Sequence, residues 1–459
     1  MNIRIDALTR YKNIHMIGIN GISMSGLAEI LIASGYKVTG SDWTSSPRTE
    51  RLKALGAVIY KNHEGENVQG ADLVVYTAAV KPDNPEYVYA AENNIPLIKR
   101  SVLLGHLMDC FKKGIAIAGT HGKTTTTGMV SKIFMEAGYD PTVHIGATYK
   151  EIGGTVRTGS DEYFITEADE YTESFLTLHP HCALITNIDF DHADYYKDIE
   201  AVKDSFVKFT KNVSSDGFLI LNGDCPNTKD VFPRIPGKKV TFGLSEQNMY
   251  QAVNLKQGPF GMSFSVKYQD AIVTDISLKV PGKHNVLNTL AAFACGNEYG
   301  IPVGTVKKAL EEFNGTDRRF EYKGTFKNAA VYDDYAHHPN EIIATLTAAF
   351  PIKKGDLWCV FQPHTYTRTY ELADDLAYAL SLADKCIVTD IYAAREKDAG
   401  LIHSKTVVEK VNRIKNSAVY IQTFDEIVEY LGRHVKENDL IIVMGAGNID
   451  NVAVMLTAM

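Results

Sequence analysis

No segment constrains the fold of this chain more than Ile115-Ala-Ile-Ala-Gly-Thr-His-Gly-Lys-Thr-Thr-Thr-Thr127. The apolar run Ile115–Ala118 reads as a buried strand and Gly119-Thr120-His121-Gly122 as a tight turn. Lys123 then opens a helix that runs on through Met129, Val130, Ile133 and Phe134. Strand, glycine turn, Gly-Lys-Thr and helix in that order make a phosphate cradle. Gly122 lets backbone N–H groups approach phosphate oxygens, and Lys123 adds a point charge. The Thr124 hydroxyl can ligate Mg2+, and the helix N-terminus favours the anion. Only Thr120 and His121 separate Gly119 from Gly122, so this is a shortened form of the generic pattern.

A chain of 459 residues is too long for one core, and two or three domains are expected. An apolar content of 45% and a charged content of 22% are ordinary for a soluble globular protein. A net charge of −8 argues against a nucleic-acid binder, so local basic groups must meet any anionic substrate. The six cysteines (Cys110, Cys182, Cys225, Cys295, Cys359, Cys386) form no C-x-x-C and read as reduced core residues of a cytosolic protein. Arg4, Arg10 and Lys12 precede an apolar run, Met16–Ile19, that is far too short for a signal peptide, and no run approaches transmembrane length. A cytoplasmic monomer or homodimer is expected, with no membrane insertion.

Three groups of strands follow along the chain. In the first, the strand Ile14–Ile19, a glycine-rich turn from Asn20 to Gly26, the helix Leu27–Ser34 and the strand Tyr36–Thr39 read as a βαβ nucleotide-binding unit. Asp42 supplies the acid about 20 residues beyond the turn. Gly18, Gly21 and Gly26 do not fit G-x-G-x-x-G, because Asn20 takes the second place. Leu73–Tyr76 and Pro96–Arg100 read as further strands, the last bringing Lys99 and Arg100 where a phosphate or carboxylate could dock. In the second group, Tyr163–Thr166 ends in Glu167-Ala-Asp169-Glu170, and Cys182–Ile188 ends in Asp189-Phe-Asp191-His192. The carboxyl ends of parallel strands are where ligands bind, and the cradle lies on that edge. Residues 240–279 read as a small antiparallel excursion with turns at Gly258-Pro259 and Gln269-Asp270, and Gly282–Asn288 precedes an Ala-rich helix. In the third group, Val331-Tyr332, Leu357–Phe361, Cys386–Thr389 and Leu440–Val443 alternate with helical stretches, which is a second doubly wound sheet. They lead into Asp333–Pro339, Gln362–Arg368, Asp390-Ile-Tyr-Ala-Ala-Arg395-Glu396 and Met444–Asn448. His338, beside Pro339, reads as a helix-start residue.

The stretches Gly18–Gly26, Gly40-Ser-Asp42, Gly119–Thr127, Glu167–Glu170, Thr186–His192 and His284–Asn288, then Arg318-Arg-Phe320, Asp333–Pro339, Gln362-Pro-His364 and Tyr392–Glu396, occur in one order over nearly the whole chain. Together they resemble the Mur ligases of peptidoglycan synthesis. The resemblance implies an α/β fold of three domains. These are a Rossmann-like UDP-sugar domain (1–110), a central P-loop domain for ATP (111–318) and a C-terminal Rossmann-like domain (319–459) that closes over ATP and the amino acid. It implies an ATP-dependent amide ligase acting through an acyl phosphate with Mg2+. Asp333–Pro339 with Gln362-Pro-His364 points to UDP-N-acetylmuramate and L-alanine as the substrates beside ATP.

By the same resemblance, Gly119, Thr120, His121, Gly122, Lys123, Thr124 and Thr125 hold the phosphates of ATP. His284, Asn285 and Asn288 meet the adenine, Arg319 the phosphates, and Asp334 the ribose or a phosphate. Thr124 and Glu167 serve Mg2+, and His192 serves a second Mg2+. Gly21, Ser23, Asp42 and Arg100 hold the UDP-sugar. Tyr335, His337, His364 and Arg368 form the amino-acid pocket. Arg368 would clamp the carboxylate, since guanidinium binds it bidentately. Either histidine could take the amine proton. Lys123, His192, His337 and Arg368 form the implied catalytic set.

Three positions depart from the family pattern: Thr365 where arginine is frequent, Tyr171 where serine is common, and Asn20 in place of a glycine. The first implies an alanine carboxylate held with one fewer cation. A ligase that recycles a murein peptide onto the same sugar nucleotide is the alternative inside the family. A nicotinamide-dependent dehydrogenase is suggested only by the first βαβ unit, and hydride transfer needs neither the cradle nor acid-rich strand ends. A nucleotide-binding regulator without chemistry would not need His192, Asp334 and Arg368.

Overall fold

The computed structural model describes residues 6–258, 261–394 and 396–458; Arg4, Pro259 and Arg395, named above, lie outside them. The chain forms two compact units: Met1–Ile188 with Val202–Met249 and Ala291–Ala309, and Asp189–Ala201 with Tyr250–Leu290 and Leu310–Met459.

The first unit carries two sheets. One is all parallel, made of β1 (Asn13–Ile17), β2 (Lys37–Ser41), β3 (Val58–Tyr60), β4 (Leu73–Tyr76) and β5 (Leu97–Lys99) in the order β3-β2-β1-β4-β5. The order turns back at β1, and the crevice outside the carboxyl end of such a strand is where an α/β sheet takes ligands. The other sheet contains β6 (Lys113–Ala118), β7 (Thr142–Tyr149), β8 (Gly154–Arg157), β9 (Tyr163–Glu167), β10 (Cys182–Ile185), β11 (Phe218–Asn222) and β12 (Lys238–Gly243). Within this unit its order is β12-β11-β10-β6-β9-β7-β8, and β8 alone of the seven runs antiparallel to its neighbour. Strand β6 is buried from Gly114 to Ala118, as both faces of a parallel sheet are covered by helices. Its neighbours β9 and β10 are the two acid-tipped strands of the sequence reading.

The second unit holds an antiparallel meander of β13 (Tyr250–Gln257), β14 (Met262–Tyr268) and β15 (Ala271–Ser277). It also holds a sheet of β16 (Glu321–Phe326), β17 (Ala329–Asp334), β18 (Leu357–Phe361), β19 (Lys385–Val388), β20 (Ala418–Tyr420) and β21 (Leu440–Met444), in the order β16-β17-β21-β18-β19-β20. Only β16 is antiparallel there. The core on one face of this sheet is set by Leu346, Leu357, Leu376, Leu380 and Ile442, and on the other by Val331, Ile427, Leu431 and Ile441. The α/β class is as expected, and the first turn and the cradle lie on separate sheets.

Several boundaries differ from the sequence reading. The first helix spans Ile22–Ala33, so Ser23 to Gly26 are helical and do not extend the turn. Small polar residues are weak helix formers, but Ser25 N–H donates to Gly21 O at 2.8 Å and Ser25 Oγ to Ile22 O at 3.0 Å, which closes the first turn. Arg100 opens the helix Arg100–Met108 and does not end β5. Residues 240–243 are part of β12, and Val240 to Phe242 pair parallel with β11, so the antiparallel excursion starts later. His284, Asn285 and Asn288 lie inside the helix Lys283–Glu298 and do not precede it. Among the described residues no helix is long and apolar enough to cross a membrane.

Candidate functional site

The cradle forms at the carboxyl end of β6. Gly119 has φ +130, and a Cβ there would stand 2.0 Å from Thr186 Oγ1. Gly122 has φ +84 as N-cap of the helix Lys123–Glu136, a conformation glycine adopts without strain. The turn is held from β10: Asn187 Oδ1 accepts the His121 N–H at 2.9 Å, and Thr186 Oγ and Asn187 Nδ2 donate to His121 O at 2.6 and 2.9 Å. Thr120 N–H reaches Asn187 O at 3.3 Å. Thr124 and Thr125 are buried in the first helical turn.

Lys123 Nζ curls back over the turn, donating to Gly119 O at 2.5 Å, Thr120 O at 3.2 Å and Glu170 Oε2 at 2.8 Å. Burial opposes its charge, but the carboxylates of Glu170 and Asp169 outweigh this and hold the ammonium above the usual lysine value. Thr124 Oγ1 donates to Glu167 Oε2 at 3.1 Å, and Gly146 N–H on β7 donates to Glu167 Oε1 at 2.6 Å. A hydroxyl beside a carboxylate is a hard oxygen donor set of the kind Mg2+ takes. His192, expected to serve a second Mg2+, belongs to the second unit. There it has φ +58, and its N–H donates to Asp191 Oδ1 at 2.7 Å.

The four residues expected to hold a UDP-sugar surround the turn after β1. Gly21 caps the first helix, Asp42 follows β2 and Arg100 follows β5. Asp42 Oδ2 accepts the Asn20 N–H at 3.1 Å, which fixes the turn. Arg100 Nη1 donates to Ser23 Oγ at 2.9 Å.

In the second unit, Asp334, Tyr335 and His337 follow from the carboxyl end of β17, and His364 and Arg368 lie beyond that of β18. Asp334 is buried; its Oδ2 accepts the Phe320 N–H and its Oδ1 the Ala336 N–H, both at 2.8 Å, and burial raises its pKa despite Arg319. Arg318 and Arg319 each stack on the Tyr335 ring at 5.1 Å. His284 is pushed down to about 4 by burial and by the Arg319 charge. Asn285 Nδ2 donates to Pro281 O at 2.7 Å, and Asn288 Nδ2 to Asn285 Oδ1 at 3.3 Å.

Tyr335, His337, His364 and Arg368 form one cluster. The Tyr335 and His337 rings are 5.6 Å apart, and those of His337 and His364 are 5.7 Å apart. Arg368 carries an unforeseen partner: its Nε and Nη2 donate to Asp191 Oδ1 at 3.1 and 2.9 Å. Burial opposes the Asp191 charge, but the Arg368 guanidinium overcomes it and holds the carboxyl far below the usual carboxylate range. The two histidines are not equivalent. Arg368 Nη1 donates to His364 Nδ1 at 3.0 Å, so that nitrogen is an acceptor and its lone pair is engaged. His337 Nδ1 faces Tyr335 O at 3.0 Å and Glu341 Oε2 at 3.4 Å, both acceptors, so the proton sits on Nδ1 and Nε2 presents the lone pair. Burial pushes His337 down to about 4, which keeps it neutral. Thr365 has φ +64, and its hydroxyl caps the helix Tyr366–Glu371 by accepting the Arg368 N–H at 3.4 Å. His338 is an N-cap, as expected: Nδ1 accepts the Asn340 N–H at 3.3 Å, and Nε2 donates to Phe190 O at 3.2 Å.

The sequence reading assigned no role to Glu170, Asp191 or Asn187. Glu170 and Asp191 lie in motifs already singled out, but only the fold reveals their cationic partners.

Three family models match in sequence: the Mur ligase family catalytic domain over residues 13–112, the Mur ligase middle domain over 117–296, and the Mur ligase glutamate ligase domain over 318–447. A UDP-N-acetylmuramate–L-alanine ligase of Caldanaerobacter subterraneus subsp. tengcongensis is 48% identical over 446 residues, covering 97% of each chain. The crystal structure of a UDP-N-acetylmuramate–alanine ligase of Thermotoga maritima matches at a TM-score of 0.84 and 30% identity, over 98% of each chain. A murein peptide ligase of Psychrobacter arcticus matches at a TM-score of 0.74 and 26% identity, over 97% of this chain and 98% of that one. Identity at that level across nearly the full length leaves one conclusion: the chain belongs to the Mur ligase family.

Proposed function

We propose that the protein joins L-alanine to the carboxylate of UDP-N-acetylmuramate at the expense of ATP, through an acyl phosphate. The observation that carries the reading is a charged, enclosed Lys123 in a glycine cradle beside Thr124 and Glu167. A carboxylate is a poor electrophile until one oxygen becomes a leaving group. Its oxygen attacks the γ-phosphorus and ADP departs, which needs charge neutralisation more than covalent help. Lys123 is the fixed cation for that step, and Glu170 keeps it ionised and aimed. Thr124 and Glu167 would hold Mg2+, which supplies further neutralisation when bound. The amine then attacks the acyl carbon, inorganic phosphate leaves and the nitrogen gives up a proton. His337 Nε2, neutral and bearing the free lone pair, is the better acceptor for that proton than His364. Arg368 would take the alanine carboxylate in place of Asp191, the anion now in its fork.

Rates with L-alanine, glycine, L-serine, D-alanine and L-Ala-γ-D-Glu-meso-diaminopimelate test the choice of amine. L-alanine should be the best acceptor, with D-alanine essentially inactive. A preference for the tripeptide would replace this reading with the recycling ligase.

A further inference from the structure

His144 is buried on β7, where the mechanism above gives it no role. Its Nδ1 lies 3.0 Å from Thr166 Oγ1 and its Nε2 lies 3.0 Å from Ser23 Oγ. The partners fix every proton. Thr166 Oγ1 donates to Glu167 O at 3.2 Å, so it accepts from His144 Nδ1–H. Ser23 Oγ accepts from Arg100 Nη1 at 2.9 Å, so its own proton serves His144 Nε2. The Ser23 carbonyl, 3.4 Å from Nε2, would bond only to a charged ring, which burial and Arg100 oppose by pushing His144 down to about 4. The result is a directional chain: Arg100 to Ser23 to His144, and on through Thr166 to the backbone of Glu167. Two residues beyond His144 on the same strand, Gly146 N–H holds the Glu167 side chain. The two elements approach closely, because a Cβ on Gly26 would meet Val156 Cγ2 at 2.5 Å and His144 Cδ2 at 3.3 Å.

We propose that His144 is a positioning residue that couples the turn at Ser23 and Arg100 to Glu167, so that a bound nucleotide-sugar diphosphate tightens Mg2+–nucleotide binding at the cradle. The proposal rests on the functional reading above. An anion at the turn competes for the Arg100 N–H and the Ser23 O–H, and so changes what His144 Nε2 receives. The ring passes that change to both ends of Glu167, its backbone through Thr166 and its carboxylate through the β7 segment that carries Gly146. Such coupling must be reciprocal, and typical values are roughly 5- to 150-fold in affinity.

The test is calorimetric titration of Mg2+ with a non-hydrolysable ATP analogue, with and without saturating UDP-N-acetylmuramate. The wild type should bind the analogue about tenfold more tightly with the sugar nucleotide present, within that typical range. Thr166→Val and His144→Leu should bring the ratio below about twofold while the affinity for the analogue alone changes little. Thr166→Val removes only a hydroxyl from the buried link, so it carries the test if His144→Leu does not fold. A wild-type ratio of one, or an unchanged ratio in Thr166→Val, overturns the proposal and leaves the functional reading standing. A wild type that binds neither nucleotide overturns both.

Discussion

Burial opposes the charge on Lys123, but the Glu170 carboxylate 2.8 Å away and Asp169 outweigh it. Lys123→Ala should therefore lower kcat by the loss of one preorganised charge, roughly 3–4 kcal/mol, when measured at saturating ATP. A variant that kept most of its turnover would remove Lys123 from the chemistry. Arg368 offers a second check. Its removal leaves Asp191 buried without its cation, and breaking such a pair costs about 3–5 kcal/mol. Arg368→Ala should lower the melting temperature and raise the KM for L-alanine far more than that for ATP or the sugar nucleotide. Equal effects on all three would make Arg368 a structural residue only. His337 gives a pH signature. Its folded pKa of about 4 lies below the unfolded value near 6.5, so its contribution is full above about pH 6.5 and is lost as pH falls toward 4. His337→Asn, which keeps an amide near Nδ1 but does not titrate, should flatten the melting-temperature profile across that window. The placing of Lys123 at the start of the cradle helix and of His338 as an N-cap was legible in sequence, because local neighbours determine both. The Arg368–Asp191 pair was not: 177 positions separate its members, and no periodicity links them.

At the scale of elements, the sequence reading succeeded where a long apolar run met a glycine turn. The segment β6, Gly119, Gly122 and the following helix is that case. It missed β7, β8, β11 and β16 as well as β3 and β20; only the last two, each three residues long and partly exposed, are too short for hydrophobic periodicity to register. It also placed the start of the first helix too late, since Ser-Met-Ser-Gly reads as turn chemistry. The reason for Gly26 there lies in tertiary packing. Gly26→Ala should destabilise the protein by about 1–3 kcal/mol through overpacking against Val156. The double variant Gly26→Ala/Val156→Ala should recover much of that loss in chemical denaturation. No recovery would mean that the strain lies in the helix backbone.

Across the whole molecule, the order of motifs read along the chain recurs as the order of sheets, and composition fixed little beyond size. The division into two compact units was invisible in sequence, because segments 189–201 and 250–290 leave the run of chain around them and join the second unit. Assigning Lys123 of one unit and Arg368 of the other to a single reaction rests on the proposed chemistry, in which one carboxylate is first phosphorylated and then attacked. That order of events leaves an isotopic trace. UDP-N-acetylmuramate labelled with 18O in its lactyl carboxylate should, in a reaction with ATP and L-alanine, transfer one 18O per turnover to inorganic phosphate and retain the other in the amide carbonyl. Phosphate free of label, or phosphate released at the full rate without the sugar nucleotide or the amino acid, would contradict an acyl-phosphate ligase.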